Sequence, residues 1–289
     1  MSAPAFGCVV LTQGRRPAEL TAALESLLAQ QGVALDIVVV GNGWTPAGLP
    51  EGVRAVALAE DAGIPGGRNA GVPAVGGELL FFLDDDARLA GTDGLARVAA
   101  LLAAEPDVGV VQLRVRAATA GRAPRDWVPR LRVGDPARSS DVTAVWEGAV
   151  AIRRALFEAI GGWPAEFRFA HEGIDLAWRA MDAGARVRYA GEIEVLHPAY
   201  STAPHDYSAY YGARNRVWLA RRHLPLALAP VYVLGFALRT LPLLARSPAR
   251  LRAAARGYLA GMRESCGPRR PLRASTIWRM SRAGRPPIL

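Results

Sequence analysis

The sequence predicts an α/β protein whose central sheet is mostly parallel and flanked by helices. Two observations carry that expectation. The first 115 residues alternate short apolar runs with helix-period stretches, the mark of strand–helix–strand units. The chain has 289 residues and is 51% hydrophobic, enough to bury a core without disulfide or metal staples. In order, Phe6–Leu11 reads as a buried strand. Pro17 opens a helix that puts Leu20, Leu24, Leu27 and Leu28 on one face. Asp36–Val40 and Val53–Leu58 are the next strands, and Glu78–Leu83 follows a Gly-rich segment. Thr92–Ala104 reads as a helix and Val108–Leu113 as a strand. Residues 114–142, rich in Arg, Pro, Gly and Asp, read as a surface loop. Ala149–Ile160 looks helical and is ended by Gly161-Gly162. Ile174–Ala183 is a further helix, with strands at Arg186–Tyr189 and Ile193–Leu196.

Composition removes several chemistries. All 35 basic residues are arginine, which excludes Schiff-base, pyridoxal-anchoring and P-loop lysines. Cys8 and Cys266 are the two cysteines, too few for a disulfide scaffold or a Cys-based zinc cluster. No secretory signal pattern, internal repeat or low-complexity linker is visible. The net charge of +9 is unevenly placed. Residues 1–199 hold 19 Arg against 24 acidic residues, whereas residues 200–289 hold 16 Arg and only Asp206 and Glu264. A slightly acidic body and a strongly basic tail are therefore expected, the tail suiting an anionic surface.

Asp84-Asp85-Asp86 directly follows the apolar run Leu79–Leu83. Ligands of open parallel sheets bind beyond the strands' carboxyl ends, and three adjacent carboxylates there repel unless a cation relieves them. In an extended segment Asp84 and Asp86 point the same way and can share Mg²⁺ or Mn²⁺; the alternative is a solvated acidic turn. Glu172 and Asp175 lie one helical turn apart, as a general base with a partner carboxylate or as complements to a helix dipole. His197 ends an apolar run and offers an imidazole ligand or a structural role. Asp61–Gly71 is a Gly-rich helix entry in which Arg68 can meet phosphate oxygens.

In this order the segments resemble the family 2 glycosyltransferases, with the GT-A nucleotide-diphospho-sugar fold, over about residues 5–222. Val9–Arg15 resembles the family's first strand and nucleotide-contacting turn, and Ser26–Gln31 its S-L-L-x-Q helix end. Gly63–Gly71 is similar to the R-N-x-G segment, Leu83–Asp86 to the L-D-x-D metal motif, Gly161-Gly162-Trp163 to the G-G-F/W turn, and Glu172–Arg179 to the E-D-x-D-L-x-x-R helix. The resemblance implies inverting transfer of a sugar from a nucleotide-diphospho-sugar to an acceptor hydroxyl. Asp84, Asp86 and His197 would hold Mn²⁺ or Mg²⁺. Thr12, Gln13, Arg15, Asn42, Asp61, Arg68, Asp84 and Asp85 would meet the donor. Trp146, Glu147, Gly148 and Trp163 would face the acceptor, and Glu172 or Asp175 would act as base. Two departures stand out. Gly41 occupies the place of the family's V-D-N aspartate, and Gly173 that of the second E-D carboxylate.

The expected organisation is a glycosyltransferase domain over 1–222, with a donor half (1–115) and an acceptor half (116–222), and a basic helical extension over 223–289. Tyr207–Arg222 resembles a segment seen after the catalytic domain in family members, where it closes over the donor or contacts the acceptor; the alternative is a surface helix. Leu224–Ala245 is the most apolar stretch, with Pro225, Pro230, Arg239 and Pro242. It is long enough for a membrane span of ~20 residues, but its prolines and arginine favour an interfacial or re-entrant helix pair. Leu251, Ala255, Tyr258, Leu259 and Met262 then form the apolar stripe of a basic helix suited to anionic lipid. The expected setting is cytoplasmic, at the inner face of the membrane, with a lipid-linked or cell-envelope glycan acceptor and no nucleic-acid partner. A soluble natural-product glycosyltransferase and a non-catalytic nucleotide-sugar-binding protein are the competing expectations.

Overall fold

The computed structural model describes residues 3–118, 123–199 and 206–287. Its nine strands are β1 (Ala5–Thr12), β2 (Ala34–Asn42), β3 (Val53–Leu58), β4 (Leu79–Asp84), β5 (Arg88–Leu89), β6 (Val108–Ala117), β7 (Ser140–Asp141), β8 (Ala149–Arg153) and β9 (Arg186–His197). They form one sheet in the order β3-β2-β1-β4-β8-β6-β9-β5, with β7 paired to β9. The long ladders β1–β2, β1–β4, β2–β3 and β6–β9 are parallel. Antiparallel β8 sits between β4 and β6.

Helices cover both faces. On one face α1 (Pro17–Leu28) and α3 (Gly94–Ala104) bury Leu20, Leu24, Leu27, Leu95, Val98 and Leu102 against Phe81 and Val111. On the other face lie α2 (Gly63–Gly71), α4 (Arg154–Ala159) and α5 (Glu172–Asp182), where Phe157, Leu176 and Trp178 share a core with Val9, Val38 and Phe82. Helix α2 lies unusually close to the sheet because its glycines present no side chain there. A Cβ on Gly71 would lie 2.6 Å from Val9 Cγ1 and 2.8 Å from Val40 Cγ2. The helix starts beside Asn42 at the end of β2, and from it the Arg68 side chain reaches Asp84 at the end of β4.

Several expected elements differ. Residues 149–153 form a strand, and only 154–159 are helical. Ala149–Ile152 are fully buried at consecutive positions, which suits a strand covered on both faces and not a one-sided helix. The strands expected at 186–189 and 193–196 are one strand, whose register against β6 shifts between Leu113 and Arg114. The stretch 114–142 is not simply a surface loop. β6 runs on to Ala117, β7 joins the sheet, and Trp127, Val128 and Arg130 are buried; residues 119–122 lie outside the described residues. Leu28, placed on the core face of α1, is exposed.

The C-terminal part contains α6 (Asp206–His223), α7 (Ala229–Leu244), α8 (Pro248–Arg263) and α9 (Ala274–Arg282). The core below α5 continues without a break into Trp218, Leu224, Tyr232, Cys266, Leu272 and Met280. α8 packs on α6 through Ala253, Ala254, Gly257 and Gly261, and not through the larger residues of the expected stripe. A Cβ on Gly261 would lie 2.8 Å from the Arg214 carbonyl oxygen, so small residues are what allow the contact. Leu251, Leu259 and Met262 are left exposed. Among the described residues no helix is long and apolar enough to cross a membrane.

Candidate active site

A cavity of about 990 Å³ opens beyond the C-terminal ends of β1, β2 and β4. Thr12, Gln13, Arg15, Asn42, Asp61, Asp84, Asp85, Asp86, Trp146 and His197 line it, all of them expected site residues. Within it, one carboxylate oxygen from each of Asp84 and Asp86 and one nitrogen of His197 lie within 4.8 Å of one another. β4 ends at Asp84, and Asp85 and Asp86 lie in a turn closed by the Ala87 N–H, which donates to the Asp84 carbonyl at 3.0 Å; Asp85 Oδ2 accepts a 2.6 Å hydrogen bond from Thr12 Oγ1. Burial raises the Asp85 pKa, against the opposing effects of Thr12 and Arg16.

The donor set fits a hard divalent cation. His197 Nδ1 lies 2.8 Å from the Pro198 carbonyl oxygen. A carbonyl only accepts, so Nδ1 carries the proton and Nε2 presents its lone pair. Burial lowers the His197 pKa, although Asp84 opposes it. Nε2 then faces Asp86 Oδ1 at 3.0 Å, two acceptors at hydrogen-bond distance. A cation between them removes the repulsion, and two carboxylates with one imidazole suit Mn²⁺ or Mg²⁺.

Beside this cluster, Asn42 and Asp61 form a polar cradle. Asn42 Nδ2 donates to Asp61 Oδ1 at 2.7 Å, and Asn42 Oδ1 accepts from the Ala62 N–H at 2.8 Å. Gln13 Nε2 donates to Asp61 Oδ2 at 3.2 Å. Gly41, next to Asn42, has no room for a side chain, because a Cβ would collide with the Trp44 carbonyl.

Arg68 is buried and donates from Nη2 to Asp84 Oδ1 at 2.6 Å. Its guanidinium lies 5.2 Å from the Trp163 ring centroid, and its Nη1 has no partner among the described residues. Trp163, expected to meet the acceptor, is instead 1% exposed, packed edge-on against Phe82. Its backbone is clasped by Asn69, whose Nδ2 donates to the Trp163 carbonyl at 2.8 Å and whose Oδ1 accepts from its N–H at 2.9 Å. The turn before it needs Gly161 and Gly162, at φ +83° and +71°. The Arg68-Asn69 and Gly-Gly-Trp motifs are thus two halves of one support that holds Arg68 against Asp84.

The acidic residues of α5 separate into two groups. Asp175 is fully buried and does not reach the cavity. Arg179 Nε and His223 Nε2 each lie 2.6 Å from its carboxylate, and Arg222 lies 3.6 Å away. Burial alone would raise its pKa, but Arg179 and His223 hold it down to about 2. Asp175 therefore ties α5 to the end of α6, a positioning role. Glu172, 3% exposed, belongs with Glu147: its Oε2 has no hydrogen-bond partner among the described residues, and burial raises its pKa against the effect of Arg68. Glu147 is partly exposed, and its Oε1 accepts from the Gly173 N–H at 2.6 Å. Burial, with the Glu172 charge adding to it, pushes the Glu147 pKa up to about 8. Gly148 abuts Asp84, whose N–H donates to the Gly148 carbonyl at 3.0 Å.

The loop leading into α5 is strained. Arg168, Ala170 and His171 have φ of 58°, 65° and 67°, positions that cost non-glycine residues about 1–3 kcal/mol each. Helix α6 holds them there. Asn215 Nδ2 donates to the carbonyls of Phe167, Phe169 and Ala170 at 3.0, 2.7 and 2.9 Å. Arg214 Nη2 donates to those of Glu166 and Phe167. Arg214, Asn215 and Arg216 are all buried, so this is not a surface helix.

Sequence reasoning missed some cavity residues. Arg16 pairs with Asp85 and Asp86; its place beside Arg15 at the helix start was the available signal. Trp127 packs edge-on against His197, with ring centroids 5.2 Å apart, and lines the cavity with Arg168, Phe169 and Tyr207. Trp127, Arg168 and Phe169 arrive from segments whose sequence carries no local motif, whereas Tyr207 opens the 207–222 segment that the sequence had already set beside the donor or acceptor.

A parallel sheet with carboxylates at its switch point, a buried arginine beside them and an acidic helix start define a glycosyltransferase of the GT-A fold. The chain belongs to Glycosyl transferase family 2, whose sequence pattern matches residues 8–161. It is similar to the pre-mycofactocin glycosyltransferase of Mycobacterium tuberculosis, 30% identical over 184 residues that cover 59% of this chain and 37% of that protein. The chain thus spans little more than a third of that relative. In fold it is similar to the mannosyltransferase PcManGT from Pyrobaculum calidifontis in complex with GDP-Man and Mn²⁺ (TM-score 0.59, 18% identity, 98% of this chain and 85% of that one). It is also similar to S. aureus TarS 1-349 in complex with UDP-GlcNAc (TM-score 0.60, 16% identity, 89% and 81%).

Proposed function

We propose that this glycosyltransferase moves a sugar from a nucleotide-diphospho-sugar to an acceptor hydroxyl, with inversion at the anomeric carbon and with Mn²⁺ or Mg²⁺ held by Asp84, Asp86 and His197. The observation that carries this reading is the convergence of those three ligands in the cavity beside Arg68. Gln13, Asn42 and Asp61 hold the nucleoside end. Arg15 and Arg68 meet the diphosphate. A carboxylate of the acidic group at the start of α5, where the sequence points to Glu172, takes the acceptor proton. The cation, when bound, offsets the negative charge of the departing nucleoside diphosphate.

The acceptor in this reading is a lipid-linked or cell-envelope glycan precursor, met at the cytoplasmic face of the membrane. Its support is the exposed apolar face of α7, with Val231, Leu234, Leu238 and Leu241 beside exposed Arg239 and Arg246. A soluble natural product is the alternative acceptor. Gly41 and Gly173 favour a second reading, a nucleotide-sugar-binding protein without turnover.

A thermal-shift screen of UDP, GDP and dTDP sugars with Mn²⁺ separates donors and tests the site. One donor is expected to raise the melting temperature by a few degrees, in line with roughly 2–3 kcal/mol at a hundredfold excess over Kd. The Asp84→Ala/Asp86→Ala variant is expected to lose that shift. No shift with any donor, or an unchanged shift in the variant, contradicts the proposal.

A further inference from the structure

We propose that Glu147 is the catalytic base of the transfer, its carboxylate occupying the space into which a side chain at position 173 would project. The inference rests on the sugar-transfer reading above and deepens it. Three observations point to Glu147.

The first is steric. A Cβ on Gly173 would collide with the Val145 carbonyl and would lie 2.6 Å from Glu147 Oε1. Glycine at 173 is therefore the condition for residues 145–147 to lie over the start of α5. The second is orientation. The Gly173 N–H, an unpaired donor at a helix start, is satisfied by Glu147 Oε1 at 2.6 Å. That bond fixes one carboxylate oxygen and leaves Oε2 as the proton acceptor. The third is access. Glu147 is partly exposed, whereas Glu172 is 3% exposed and Asp175 fully buried. Glu147 lies between Trp146, which lines the cavity, and Gly148, whose missing Cβ leaves room for Asp84. It thus lies against the cavity wall without lining it, on the chain segment that carries Trp146.

In the step itself, the acceptor oxygen forms a bond to the anomeric carbon while its proton passes to the Glu147 carboxylate. The bond from that carbon to the diphosphate oxygen breaks, and the electron pair leaves with the nucleoside diphosphate. Glu147 then returns the proton to solvent.

The test compares Glu147→Gln and Glu147→Ala with the wild-type chain, using the donor found by the nucleotide-sugar screen. Glu147→Gln is expected to lower kcat by about 10²–10⁴-fold, the usual worth of a general base. Its thermal shift with nucleoside diphosphate and Mn²⁺ is expected to match wild type. Added formate is expected to restore part of the turnover of Glu147→Ala, a rescue that a merely structural role would not show. Wild-type turnover in Glu147→Gln, or no rescue of Glu147→Ala, overturns the assignment and leaves the sugar-transfer reading standing. A wild-type chain that releases no nucleoside diphosphate from any donor overturns both.

Discussion

At the residue scale, the site places like charges together and offsets them unequally. Asp84 has Arg68, Asp86 has Arg16, and Asp85 has Thr12 and Arg16. Glu147 and Glu172 have backbone N–H groups, that of Gly173 among them, and the charge of Arg68. Such a group makes the fold depend on pH with a definite sign. The folded-state pKa of Glu147 lies near 8, above the ordinary 4.5, so the folded state binds the proton more tightly than the unfolded state. The associated stability is complete below about pH 4.5 and is lost as pH rises through about 8. With metal chelated, the melting temperature of the wild-type chain should therefore fall from pH 5 to pH 8.5. In Glu147→Gln that fall should shrink by a few degrees, making the variant the more stable protein at the alkaline end. Parallel pH profiles of the two chains would refute the assigned environment of Glu147. Stability gained where activity is lost is the trade-off expected of a functional group held in an unfavourable setting.

At the element scale, α6 acts as a brace and α7 as an unpartnered face. The Arg-Asn pair of α6 holds three strained residues ahead of α5, and Asp175 joins the two helices through His223. Helix α7 has 16 residues, about 24 Å at 1.5 Å per residue, short of a hydrocarbon core of about 30 Å. Leu234, Leu238 and Leu241 lie on one side of it, 59%, 60% and 47% exposed. On the membrane-contact reading, the chain should sediment with vesicles containing anionic lipid. Leu234→Ser/Leu238→Ser should weaken that binding by about 10²–10⁴-fold, since burying two leucines is worth roughly 3–6 kcal/mol. Equal sedimentation of the variant, or none of the wild type, would contradict the reading. Transfer to a soluble acceptor should be unchanged in that variant.

At the scale of the whole molecule, the arginine-rich tail has two uses. Arg214, Arg216 and Arg222 are buried, and Arg221, Arg269 and Arg279 donate to backbone carbonyls at turns and helix ends. Much of the charge that the sequence suggested for an anionic partner thus joins the C-terminal helices to the body. Arg239, Arg246, Arg252 and Arg256 remain exposed. The fold of the first half was legible because its strands are short apolar runs and α1 and α3 repeat apolar residues at helical spacing. The convergence of Asp84 and Asp86 was legible because they are near neighbours in sequence. Residues 149–153 were misread as helix because a run of small apolar residues carries no period to separate the two. The Glu147–Gly173 contact was not legible, since 26 residues separate its partners and only the fold brings them together. The same holds for Trp163, expected at the acceptor and found buried beside Arg68.

The central claim is that Asp84, Asp86 and His197 make this chain a metal-dependent sugar transferase. Its most direct test is the rate of nucleoside diphosphate release from the chain's donor in the presence of acceptor, with Mn²⁺ and with chelator. Release should require the cation in the wild-type chain and fall by at least about 10³-fold in Asp84→Ala/Asp86→Ala, the loss of several kcal/mol of transition-state stabilisation. Equal rates with and without cation, or an unimpaired variant, would contradict it.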